Sequence, residues 1–83
     1  MHKDILIHEF QKNALEKVKI QFKEINGRET IDIRAYYKVP ETADEWKPSK
    51  KGICMSVKHL DELVKGIQLA NEKWKKNIKI KKV

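Results

Sequence analysis

The chain has 83 residues, of which 40% are hydrophobic and 37% charged. That profile excludes a disordered segment, and the length excludes more than one domain. No apolar run approaches the ~20 residues of a membrane span. Nineteen Lys and Arg against 12 Asp and Glu leave a net charge of +7, with an isoelectric point near 9.6.

A chain this short buries roughly 60% of the surface its unfolded form exposes, so its own core is expected to be thin. Pairing with a second copy is the expected remedy. The opening MHKDILIHEF has three consecutive apolar residues and no small-residue cleavage site, which does not read as a signal peptide. The single cysteine, Cys54, cannot close an internal disulfide, and an intracellular, cytoplasmic location is expected, beside the nucleoid if the source is prokaryotic. Charge is unevenly placed. Residues 1 to 46 hold 8 basic and 9 acidic side chains, whereas residues 47 to 83 hold 11 lysines and 3 acids. The imbalance suits a polyanionic partner, either nucleic acid or an anionic membrane face, and equally suits a solvated lysine surface.

Residues 1 to 15 admit two readings, an added strand or an apolar arm built on Ile5, Ile7 and Phe10. From Lys17 onward the pattern is clear. Val18, Ile20 and Phe22 alternate with Lys17, Lys19, Gln21 and Lys23, the period of a half-buried strand. Asn26-Gly27 marks a tight hairpin, because both residues tolerate positive φ. The second strand sets Ile31, Ile33, Ala35 and Tyr37 on one face, with Thr30, Asp32, Arg34 and Tyr36 on the other. Pro40 to Asp44 reads as a polar connection. Trp46 opens a short third strand, Pro48-Ser49 punctuates a turn, and Ile53 to Met55 form a short fourth strand.

Ser56 reads as a helix N-cap, with Asp61 and Glu62 near the positive helix end. Val57, Leu60, Leu63, Val64, Ile67, Ala70 and Trp74 make one apolar stripe along about 20 residues. Leu69 falls nearly opposite and is a candidate for contact with a partner. Gly66, in mid-helix, suggests a kink or a close helix contact. The expected fold is therefore α+β: a four-stranded curved antiparallel sheet followed by a long amphipathic helix, β-β-β-β-α, with the helix covering one sheet face. Residues 1–15 form the arm or extra strand, 16–76 the domain, and 77–83 a basic tail.

Catalysis finds little support. His2, His8 and His59 are scattered and form no metal pattern with Cys54, so no metal, cofactor or small-molecule substrate is expected. Cys54, between Ile53 and Met55, reads as a buried small hydrophobe. Asp32 is a lone carboxylate without the partner that acid–base work requires. The sheet offers more. Lys17, Lys19 and Lys23 share one face of the first strand of the hairpin, and Arg34 and Tyr36 lie on an alternating face of the second; Arg28 stands beside the hairpin; Lys47, Lys50 and Lys51 gather near Trp46. Cations along a phosphate backbone, interleaved with rings on which bases stack, are what single-strand binders use. The same residues admit plainer roles, with the tyrosines and Trp46 packing and the lysines merely solvated. Arg34 is harder to dismiss, since a mid-strand arginine needs a partner: the neighbourhood of Asp32, a phosphate, or a carboxylate across a dimer.

Three segments carry a resemblance. Lys12-Asn13 precedes the strand Val18 to Phe22, Gly27 leads into Ile31-Asp32-Ile33-Arg34-Ala35-Tyr36-Tyr37, and Trp46-Lys47-Pro48-Ser49-Lys50-Lys51-Gly52-Ile53 precedes Ser56 and the helix. Together they resemble the single-strand-binding domain of the transcriptional coactivator family named positive cofactor four, over roughly residues 11 to 76. The resemblance implies a helix-built homodimer, with Leu60, Val64, Ile67, Leu69 and Trp74 at its interface. It also implies binding of single strands or melted duplex with little sequence preference. Position by position, Lys23, Arg28, Arg34, Lys47, Lys50 and Lys51 match basic contact positions, and Tyr37 matches a stacking position.

Two departures stand out. Ile25 replaces the aromatic that the family carries before the hairpin glycine. Strict alternation puts Tyr36, not Tyr37, on the face of Arg34, so the match needs a bulge or curl in the second strand. The family's Ser-rich and acidic arm is missing, as in compact prokaryotic or phage forms. The expected function is therefore non-enzymatic, non-sequence-specific binding of single-stranded DNA in transcription, replication or repair. The nominated contacts are Lys19, Lys23, Arg28, Arg34, Tyr36, Tyr37, Trp46, Lys47, Lys50 and Lys51. The rival readings are single-stranded RNA binding, and a dimeric adaptor that meets an acidic protein or membrane surface through its basic helix and tail.

Overall fold

The computed structural model describes residues 4–41 and 44–76; the expected basic tail, the first three residues and the middle of the Pro40–Asp44 connection lie outside them. In chain order come β1 (Ile5–Asn13), β2 (Glu16–Ile25), β3 (Arg28–Lys38), β4 (Trp46–Ser56), a 3-10 turn (Val57–His59) and α1 (Leu60–Lys75). The strands form one antiparallel sheet in the order β1-β2-β3-β4, each beside its sequence neighbour. The α+β arrangement of four antiparallel strands and a C-terminal helix is thus the observed fold.

Two strands differ from expectation. Trp46 to Ser56 is one continuous strand rather than two short ones, and the remaining place in the sheet belongs to Ile5–Asn13. Pro48-Ser49 is not a turn between strands. It opens a bulge: Pro48 stands opposite Tyr36 and Gly52 opposite Arg34, so Ser49 to Lys51 face Ala35 alone. The Ser49 hydroxyl donates to the Ala35 carbonyl at 2.8 Å and accepts the Lys51 N–H at 3.1 Å. Those bonds satisfy backbone groups that the broken ladder leaves unpaired, which is how the strand continues through the bulge.

The hairpin between β2 and β3 is as tight as its sequence implies. Asn26 and Gly27 both adopt positive φ, 52° and 77°, and Ile25 pairs directly with Arg28. Between β1 and β2, Asn13 shapes the corner by accepting the Leu15 N–H at 2.9 Å and donating to Glu16 Oε1 at 3.0 Å.

Register sorts the side chains onto two faces. One carries Lys17, Lys19, Gln21 and Lys23 beside Tyr36, Arg34, Asp32 and Thr30. Cys54 belongs to this polar face, opposite Asp32, and is exposed rather than buried as expected, because alternation sends Ile53 and Met55 to the other side. The apolar face carries Phe10, Val18, Ile20, Phe22, Ile31, Ile33, Ala35 and Ile53.

The helix corrects the expected packing. Ser56 caps the 3-10 turn through the Lys58 N–H at 3.2 Å, and α1 proper spans 16 residues with none buried. Leu60 borders a groove with Ile5, Phe22 and Val57. Farther along, Val64, Ile67, Leu69 and Trp74 are between 43% and 56% exposed. The helix therefore runs clear of the sheet face it was expected to cover, and Phe10 and Ile53 remain half exposed. Gly66 has open space around its Cβ position, so no close helix contact within the chain explains it. The buried apolar side chains among the described residues are few: Ile31, Ala35 and Tyr36.

Candidate nucleic-acid interface

The polar face is organised around a buried cross-strand pair, Gln21 of β2 and Asp32 of β3. Asp32 and Arg34 lie two apart on one strand and so point the same way. Arg34 Nη2 donates to Asp32 Oδ1 at 2.9 Å, and Arg34 Nε lies 3.2 and 3.3 Å from the two carboxylate oxygens. Arg34 Nη1 donates to the Ser49 carbonyl at 3.0 Å. Lys23, diagonal to Asp32 across the strands, brings Nζ to 3.8 Å from Oδ2. The bonds to Asp32 raise the Arg34 pKa further, against a smaller opposing effect of burial, so its charge is constant at every working pH. Of the partners open to Arg34, Asp32 is the one it takes within the chain.

Gln21 makes the second anchor. Its side-chain amide donates to the Tyr36 hydroxyl at 2.8 Å. Lys19 lies over the Tyr36 ring, 4.5 Å from its centroid, and Lys17 lies over Trp46 at the same distance. These are cation–π contacts. They correct the nomination of Tyr36 as a stacking surface: the ring is 8% exposed and covered by a lysine. Trp46, half-buried beneath Lys17, is likewise a packing residue with one face occupied.

Tyr37 is the exposed ring, at 43%. Pairing of β2 with β3 is unbroken through it, so the irregularity lies in β4 and not in the second strand of the hairpin, where the sequence match asked for it. The bulge opens β4 beside Tyr37, and one shallow depression is bordered by Lys23, Arg34, Tyr37, Pro48, Ser49 and Lys50. Arg34, Tyr37 and Lys50 are thereby brought together. Lys51 is not among them. It turns to the far side of Tyr37, where its Nζ sits 3.6 Å from Glu16 Oε2, and a second depression is lined by Leu15, Glu16, Tyr37, Lys38 and Lys51. The Asn13 hydrogen bond, with help from Lys12 and Lys51, holds the Glu16 carboxyl below its ordinary pKa. Lys47 is exposed and opposite Tyr37. Arg28 and the half-exposed Ile25 stand at the hairpin, the opposite end of β3.

Gly52 fixes this geometry. A Cβ there would lie 2.6 Å from the Ile33 carbonyl oxygen and 2.8 Å from Arg34 Cα, so any side chain forces β4 away from Arg34. The residues that sequence reasoning missed are Gln21 and Ser49, neutral side chains that hold Tyr36 and the bulge. The available signals were a polar residue in the row of lysines and a serine beside a proline.

An open sheet of four antiparallel strands, with one helix after it and cations around an exposed ring, defines a PC4-like domain. The sequence profile described as Transcriptional Coactivator p15 (PC4) matches residues 12–65, more than half of the chain, and the chain belongs to that family. BPSL1147, a PC4 homolog from Burkholderia pseudomallei, is similar in structure with 24% identity and a TM-score of 0.71, over 80% of this chain and 86% of its own. A bacteriophage T5 homolog of the coactivator, implicated in recombination-dependent DNA replication, has 21% identity and a TM-score of 0.62, over 87% and 80%. MoSub1, solved as a DNA complex, has 25% identity and a TM-score of 0.57, over 90% of each chain. Comparison with curated protein sequences returns no match.

Proposed function

We propose that this protein is a homodimeric, non-enzymatic binder of single-stranded DNA with little sequence preference, serving transcription, replication or repair. One observation carries the reading: Lys23, Arg34 and Lys50 border one depression with the exposed Tyr37, beside the bulge of β4. An unpaired base can stack on that ring while its phosphates meet the cations, whereas duplex DNA keeps its base faces covered. Membership of the coactivator family and the likeness to MoSub1, solved with DNA, support the ligand class. The replication role printed for the phage T5 homolog supports the breadth of the role.

The dimer follows from what one chain leaves uncovered. Val64, Ile67 and Leu69 on α1, and Phe10 and Ile53 on the apolar sheet face, all stand near half exposure. A second copy related by a two-fold axis covers equivalent patches on both chains at once. The predicted interface residues Leu60 and Trp74 lie along the same helix.

Fluorescence titration with oligo-dT, beside a duplex of the same length, tests the binding reading. Oligo-dT is expected to bind with a log–log salt slope near −3, taking about four phosphates per site at ~0.7 each. Equal affinity for duplex contradicts stacking, and preference for a matched RNA oligomer redirects the reading to RNA.

A further inference from the structure

Asp32 has the wrong sign for a surface that attracts polyanions. Its carboxylate is 2% exposed in the middle of β3, on the face that carries the cations. A negative charge there repels an approaching phosphate, so a face tuned by charge alone would hold a neutral residue. Yet three of the five guanidinium N–H donors of Arg34 are committed within the chain: Nε and one on Nη2 to Asp32, and one on Nη1 to the Ser49 carbonyl. One N–H on each terminal nitrogen is left for a ligand. Lys23 is drawn to the same carboxylate from the next strand.

We infer that Asp32 is a positioning residue, which locks Arg34 and Lys23 into the orientation that receives a phosphate, and that this ordering outweighs its own repulsion of the ligand. It rests on the proposed binding of single-stranded DNA. Arginine and lysine are among the side chains with most rotamer freedom to lose. A side chain already held in its bound orientation spares several-fold in affinity. Gln21 plays the matching part for Tyr36, so two buried polar residues in one row form the floor under the cations.

Asp32→Asn keeps the shape and removes the charge. Electrostatics alone makes that variant bind oligo-dT more tightly, whereas positioning makes it bind about tenfold more weakly. A folded variant that binds as well as the parent, or better, overturns the assignment. In an Arg34→Lys background, which cannot make the forked contact, adding Asp32→Asn releases Lys23 alone and is expected to weaken binding by clearly less than in the parent. A full tenfold further loss there also overturns it.

Should Asp32→Asn fail to fold, relaxation of the Arg34 Nε–H in the parent protein decides. An order parameter of about 0.85 without DNA supports a locked guanidinium, and one below about 0.6 contradicts it. Lack of oligo-dT binding by the parent sinks the single-strand reading by itself, and the Arg34 relaxation still reports whether Asp32 holds the side chain.

Discussion

On the polar face of the sheet, long side chains are already held within their own chain. Lys17 lies on Trp46, Lys19 on Tyr36, and Arg34 and Lys23 on Asp32. On the apolar face, Phe10 and Ile53 stand half exposed, and the helix expected to cover them runs free along most of its length. The same strands build both faces, so the difference comes from how each face is satisfied within the chain. The polar side chains find partners there, and the apolar ones stay half exposed. Binding and assembly should therefore respond to different substitutions.

The largest effect is expected on the apolar side. Ile67→Lys places a charge where a second copy must pack, and should destabilise the dimer by on the order of 3 kcal/mol per copy. That is about 15 °C in melting temperature for a chain of this size. Melting at two protein concentrations, with sedimentation, checks it; a folded, stable variant of unchanged size would break the comparison. The adjacent tyrosines should part company. Tyr37→Ala is expected to weaken oligo-dT binding by ~1–3 kcal/mol with little change in melting. Tyr36→Phe strands the buried Gln21 amide and should lower stability by about 1 kcal/mol, which denaturant titration can read.

Lys50→Gln removes one phosphate contact, so the salt slope should become shallower by about 0.7 while the dimer is untouched. The smallest effect concerns Glu16. Its carboxyl is held low in the folded chain, chiefly by Asn13. The unfolded chain thus binds the proton more readily, and the contribution is present above the ordinary carboxyl range and lost as pH falls through the folded value. Glu16→Gln should therefore lower neutral stability slightly, leave stability in strong acid almost unchanged, and so flatten the acid limb of a stability–pH curve.

The hairpin of β2 and β3 was legible because unbroken alternation and Asn26-Gly27 are local signals that nothing remote overrides. The first strand was not. Extra residues at Ile7 and Lys12 shift its register against β2, which destroys the period-two pattern along Ile5–Asn13. The Pro48-Ser49 pair was misread for a related reason. Its composition is that of a turn, but the Ser49 hydroxyl bonds across the sheet to Ala35, a contact invisible to local pattern. Parity correctly placed Tyr36 beside Arg34, and could not reveal that Gln21 and Lys19 close over it. For the helix, the apolar stripe was legible, while its destination depends on chain direction after Ser56 and not on the stripe.

The central claim is that unpaired DNA lies in the depression that Lys23, Arg34, Tyr37 and Lys50 border. Oligo-dT added to isotope-labelled protein maps the contact directly by NMR. Resonance changes concentrated at Lys23, Arg34, Tyr37 and Lys50, with Phe10, Ile20 and Ile53 unmoved, are the result this structure leads to. Changes confined to the apolar face or to α1 would contradict it.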